Sequence, residues 1–113
     1  MQLSIDTEPT DDGAVVKLAG DLDMLSAPDL SDTLNELLES GARKVVVDMS
    51  DLAFMDSSGL SAILGAHQTA EKHDAALTLF GPNERVIRLV NITGLGDVFE
   101  IRGNPEQPAS GGQ

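Results

Sequence analysis

Hydrophobic residues recur along the chain with two periods, and the places where one period gives way to the other divide it into elements. Leu3-Ser4-Ile5-Asp6-Thr7 alternates like a half-buried strand, and Asp11-Asp12-Gly13 is a turn signal. Ala14 to Ala19 is rich in branched side chains, so the two runs predict a β-hairpin. Gly20-Asp21-Leu22-Asp23 breaks the alternation and predicts a loop. Ser26-Ala27-Pro28-Asp29 then reads as a helix start, with Ser26 as cap, Asp29 completing a capping box and Pro28 in the first turn. Leu30, Leu34, Leu37 and Leu38 form one apolar stripe, and Gly41 stands where a left-handed residue ends a helix.

Val45-Val46-Val47 is a continuous β-branched run, the mark of a central, parallel strand buried on both faces. Asp48 to Asp56 reads as a turn region in which Leu52, Phe54 and Met55 supply apolar contacts. A second helix is predicted from Ser57 or Ser58 to about Lys72, with Leu60, Ile63, Leu64 and His67 on one face and Ala62, Ala66 and Ala70 allowing close packing. Ala76 to Phe80 is a further strand. Gly81-Pro82-Asn83 opens a short helix with Val86, Leu89 and Val90 inward and Arg85 and Arg88 outward. Thr93 to Gly96 is a tight loop, and Val98 to Ile101 a last short strand or helix end. The order ββαβαβα(β) implies right-handed crossovers and an α/β sandwich. Its sheet is mixed and four- to five-stranded, helices lie mainly on one face, and the hairpin's first strand is near an edge. One domain over residues 1–102 is expected, followed by a Gly- and Pro-rich tail over 103–113 that buries nothing and is expected to be disordered.

Composition narrows the function classes. Nineteen acids against seven bases give the 113-residue chain a net charge of −12, which repels nucleic acid and anionic lipid. With no Cys there is no disulfide scaffold, thiolate nucleophile or cysteine metal site. With no Trp or Tyr and three Phe there is no aromatic platform for bases or sugars. No apolar run reaches a membrane span's length and the start lacks a secretory signal, so a cytoplasmic protein is the expectation, and a monomer because the apolar stripes are all needed for the core.

The segment that invites chemistry is Phe54-Met55-Asp56-Ser57-Ser58-Gly59-Leu60, which sets two hydroxyls at a loop-to-helix junction. Either serine can serve as an N-cap. The same place also suits a phosphate, because a helix N-terminus carries about half a positive charge. A phosphoserine there would bring about −1.5 to −2 charges beside Asp21, Asp23 and Asp56 and alter the surface a partner meets. A nucleophilic elbow is excluded, since neither serine has Gly two residues to each side. His67 lies over two turns from Ser57, and His67 and His73, six apart, do not form a zinc pair. Asp21, Asp23, Asp48, Asp51 and Asp56 lack the pattern of a calcium loop and read as solvated carboxylates. No phosphate-cradling loop occurs, so neither metal nor cofactor is expected.

Asp48 to Leu60, followed by Ile63-Leu64-Gly65, resembles the signature of STAS domains, and within them the anti-sigma factor antagonists of bacterial sporulation and general stress response. Leu18 to Asp23 and Val86-Ile87-Arg88-Leu89 leading to Thr93-Gly94-Leu95 extend the resemblance over roughly residues 3–101. The resemblance implies a non-catalytic module that captures an anti-sigma factor, itself a serine kinase of ATPase fold, and so frees a sigma factor. Phosphorylation of Ser57, with Ser58 the alternative, would end the capture, and a metal-dependent serine phosphatase would reset it. Asp23 matches an acid of the partner surface, and the helix from Ser58 to about Lys72 the docking face. The expected partner-binding residues are Asp21, Asp23, Asp56, Ser57, Ser58, Gly59, Leu60, Ser61, Leu64, Thr93 and Gly94. Asp21 and Ser61 stand where relatives often carry Glu and Gly. STAS domains also serve, without a switch, in stressosomes, lipid-transport complexes and anion transporters, which is the alternative.

Overall fold

The computed structural model describes residues 2–103; the expected tail, Gly103 apart, lies outside the described residues. Five strands and three helices follow in the order β1 (Ser4–Pro9), β2 (Gly13–Leu22), α1 (Ala27–Glu39), β3 (Lys44–Met55), α2 (Ser57–Lys72), β4 (Ala76–Phe80), α3 (Glu84–Ile92) and β5 (Glu100–Arg102). The strands form one sheet in the order β1-β2-β3-β4-β5. β1 pairs antiparallel with β2, as the hairpin predicts, and every other pairing is parallel. Each crossover therefore advances by one strand in the same direction. Right-handed connections of that kind place all the intervening helices on one face.

That face holds the core. Val16, Leu18, Val45, Val47, Met49, Leu77 and Leu79 point from the strands to Leu30, Leu34 and Leu38 of α1, Ile63, Ala66 and Ala70 of α2, and Val86 and Val90 of α3. Leu34 is fully buried. Ile87 replaces the expected Leu89 among the buried residues of α3, and Leu89 packs only partly. Gly41 has φ +110°, ending α1 as its position predicts.

Three expectations need correction. Val46 is only half-buried, because the second face of the sheet has no helix over it; β3 is central without being covered on both sides. Asp48 to Met55 is strand, not turn: β3 runs on beside β2 as far as the Leu22–Met55 pair. Gly20 to Leu22 likewise remain in β2. Register shifts between Lys17 and Ala19 and between Gly20 and Asp21 let the paired strands continue past the sequence break, with Gly20 at φ +97°. The bulges also explain why buried positions at this end, Met49, Leu52 and Met55, recur every third residue.

β5 closes the far edge. Thr78 Oγ1 donates to Glu100 Oε1 at 3.2 Å, and Arg102 Nη2 lies 2.6 Å from Glu100 Oε2. The Arg102 guanidinium, and after it the Thr78 hydroxyl, hold the Glu100 carboxyl below the usual range.

Candidate functional site

The carboxyl ends of β2 and β3 lead directly into α1 and α2, so the loop after Leu22 and the start of α2 meet at one end of the sheet. The Asp56 N–H donates to the Leu22 carbonyl at 3.2 Å, joining the two strand ends. Gly59 makes the close approach possible: a Cβ there would stand 2.6 Å from Leu22 Cγ and 2.9 Å from Met55 Cγ.

The cap of α2 is Asp56, not a serine. Its Oδ1 accepts from the Ser58 N–H at 2.9 Å and the Gly59 N–H at 3.2 Å. Among the described residues no hydrogen bond engages the Ser57 hydroxyl, and Ser57 is exposed while Ser58 is half-buried. The capping duty that the sequence leaves open between the serines thus falls on the carboxylate one residue earlier, and Ser57 is left at the positive end of a 16-residue helix with its Oγ accessible. An Asp56→Ala variant is expected to lose about 1 kcal/mol of stability, and Asp56→Asn much less. Urea unfolding of the two variants checks this; equal losses would mean the carboxylate's charge matters more than its capping bonds.

Asp23 is half-buried at the start of the turn that follows β2. Its Oδ1 accepts from the N–H groups of Leu25 at 3.0 Å and Ser26 at 3.2 Å, so the carboxylate folds back into its own turn. Ser26 Oγ accepts from the Asp23 N–H at 3.0 Å and donates to the Asp21 carbonyl at 3.0 Å. Ser26 occupies the N-cap position of α1 without a side-chain capping bond, so the predicted capping box does not form: its hydroxyl is committed to the residues before it. Asp21 is half-buried and lies opposite Phe54 in the β2–β3 pairing.

The remaining expected partner residues divide. Ser61 is exposed and Leu64 half-buried on α2 beyond Ser57. Gly59 and Leu60 are buried and serve packing. Thr93 and Gly94 are exposed at the end of α3, which runs back from the carboxyl end of β4, so the fold does not bring them to Ser57. The segment following them instead meets the middle of α2, where Phe99 stands edge-on to the half-buried His67 at 5.7 Å. His73 is exposed at the end of α2. Among the described residues no three His, Asp or Glu side chains converge as metal ligands, and no helix is long and apolar enough to cross a membrane.

Sequence reading passes over the most exposed apolar side chains at this end. Met24 is 71% exposed, Leu25 86% and Phe54, expected to make apolar contacts, 44%. An apolar pair inside a polar turn, outside any helical or strand period, is the one sequence signal that sets Met24 and Leu25 apart.

The STAS domain family model matches residues 4–107. The anti-sigma-B factor antagonist of Staphylococcus epidermidis is 34% identical over 106 residues, 94% of this chain and 98% of that protein. A solved anti-sigma factor antagonist from Mycobacterium paratuberculosis shares the fold with a TM-score of 0.80 at 23% identity, over 89% of this chain and 86% of that one. The Bacillus cell fate determinant SpoIIAA, solved in its phosphorylated form, aligns with a TM-score of 0.71 at 22% identity, over 87% of this chain and 90% of that one.

Proposed function

The chain belongs to the STAS family, and from that premise we propose that it is an anti-sigma factor antagonist switched by phosphorylation of Ser57. Its unphosphorylated form binds an anti-sigma factor that is also its serine kinase; the phosphorylated form lets go, and a metal-dependent phosphatase restores the first state. The protein acts by binding, in the cytoplasm, and performs no catalysis of its own.

The observation that carries this reading is the Ser57 hydroxyl, exposed and without a capping role on the first turn of α2. A kinase needs a hydroxyl it can reach, and Ser57 meets that need better than half-buried Ser58. The phosphate formed there meets the favourable end of the helix field, so the fold accommodates it without rearrangement. Similarity over nearly the whole length to proteins named anti-sigma-B factor antagonist supports the class of partner. That a protein of this fold, SpoIIAA, exists in phosphorylated form supports the compatibility of fold and modification.

Incubation with the anti-sigma factor kinase of the same bacterium and ATP, followed by peptide mass spectrometry, tests the assignment. One phosphate on Ser57 is expected, absent from Ser57→Ala and retained in Ser58→Ala. Phosphate on Ser58 alone would move the switch by one residue. No modification, together with no capture of the kinase, would overturn the reading.

A further inference from the structure

We propose that Met24 and Leu25 form the apolar anchor that seats in the anti-sigma factor, and that Asp23 is a positioning residue that holds them out rather than a contact in its own right. The inference rests on the anti-sigma factor reading above and names how that partner is gripped.

Large apolar side chains exposed singly are ordinary, but adjacent ones on a closed turn are not. Among the described residues only six large hydrophobics stand well exposed, and Met24 and Leu25, at 71% and 86%, are neighbours. They begin two residues after Leu22, whose carbonyl takes the Asp56 N–H. The turn that carries them therefore leaves the same end of the sheet at which α2 begins. A partner that covers Ser57 and reaches across the end of β2 meets them.

The turn itself is built rather than loose. Asp23 Oδ1 holds the Leu25 and Ser26 N–H groups, and the Ser26 hydroxyl ties Asp23 to Asp21. The backbone adds bonds from the Ser26 and Ala27 N–H groups to the Asp23 carbonyl, at 3.1 and 2.8 Å. These bonds fold Asp23 Oδ1 and the Ser26 hydroxyl back into the turn, while Met24 and Leu25 stay exposed on it. Holding them in one geometry before binding removes ordering cost from association. Leu25 also lines a shallow groove with Leu3, Asp23 and Asp29.

Charge decides the occupant. Asp23 and Asp29 line the groove beside Leu25, on a chain of net charge −12. A second copy docking through this patch would oppose like charges, and an anionic bilayer would be repelled. The surface fits a partner with an apolar pocket rimmed by Lys and Arg.

The test measures binding of the full chain to the purified anti-sigma factor kinase of the same bacterium, by titration calorimetry, with thermal unfolding as the check on fold. Met24→Ser/Leu25→Ser is expected to weaken binding by about 30-fold or more, as loss of two buried apolar anchors does, with unfolding temperature unchanged. Asp23→Asn keeps the oxygen that accepts the turn's N–H groups and is expected to bind within about threefold of wild type, since Asn makes the same turn. Asp23→Ala loses that acceptor and is expected to bind about tenfold more weakly, more so as the turn loosens. Wild-type affinity in the double serine variant would overturn the anchor while leaving the antagonist reading intact. Asp23→Asn as weak as Asp23→Ala would make the carboxylate charge the contact and overturn the positioning role. No binding by the wild-type chain would overturn the reading and the anchor together. Self-association or adsorption to anionic vesicles abolished by the double variant would assign the pair to another occupant and overturn the proposal.

Discussion

Gly59→Ala is expected to destabilise the protein by about 2 kcal/mol, although the same change in a free helix would stabilise it by up to about 1 kcal/mol. The added Cβ would lie 2.6 Å from Leu22 Cγ and 2.9 Å from both Leu22 Cδ2 and Met55 Cγ. Carbon atoms at rest sit about 3.5–4.0 Å apart, so the neighbours must move by roughly an ångström. Leu22 is fully buried and Met55 7% exposed, which leaves neither room to swing aside. The movement would fall on the junction of β2, β3 and α2 and shift the turn that presents Ser57. Gly65 of the same helix is the control: no atom lies within 4 Å of the place its Cβ would take, so Gly65→Ala is expected to add about 0.5–1 kcal/mol. Denaturant unfolding of both variants reads the opposite signs. A stabilised Gly59→Ala would refute the close packing of α2 on the strand ends. A Leu22→Ala change that offsets part of the Gly59→Ala loss would locate the clash, since residues in contact do not contribute additively.

Phosphorylation of Ser57 is expected to weaken binding to the anti-sigma factor kinase about 100-fold while leaving the fold as stable as before or slightly more so. A kinase that modifies Ser57 must bring that hydroxyl to the terminal phosphate of its nucleotide. The product therefore faces the remaining phosphates at close range, and like charges brought together across an interface cost several kcal/mol, about tenfold in affinity for each 1.4. Within the antagonist the same group lies at the positive end of α2, where an anion is stabilised by about 0.3–1 kcal/mol. The two effects act on different equilibria and separate experimentally. Calorimetry of the modified and unmodified chain against the ADP-bound kinase reads the first, and thermal unfolding of the chain alone the second. Ser57→Ala, blocked from modification, is expected to bind like the unmodified protein, whereas Ser57→Asp imitates the phosphate weakly because it carries a single charge. Equal affinity of modified and unmodified chains would end the switch, whatever the fold.

Much of this molecule is legible in one dimension because its elements are periodic. The Leu30–Leu38 stripe, the Val45–Val47 run and the Gly41 terminator each express a local rule, and α1, β3 and the end of α1 follow them. Where the reading departed from the structure, another partner had taken over, either a paired strand or a neighbouring acceptor. Gly20 to Leu22 and Asp48 to Met55 lack a strand's alternation, yet each run completes the other's hydrogen bonding across two register shifts. Val46 reads as doubly buried because β-branching reports a central strand and not the number of layers over it. Ser26 and the serines of α2 read as caps because capping propensity depends on residue type, while Ser26 is drawn to Asp21 and Asp23, and Asp56 takes the α2 N–H groups first.

By itself the sequence determined the mixed α/β layout, the placing of the helices mainly on one face and the position of the serine pair at the start of α2, since each follows from period, turn chemistry and the handedness of crossovers. Only the tertiary structure decided which serine is exposed, that Asp23 is turned into its own loop, and that Met24 and Leu25 stand outward from the turn after β2. Those outcomes depend on which of several neighbouring acceptors takes each N–H group at the ends of β2 and β3, a competition that residue type alone does not decide.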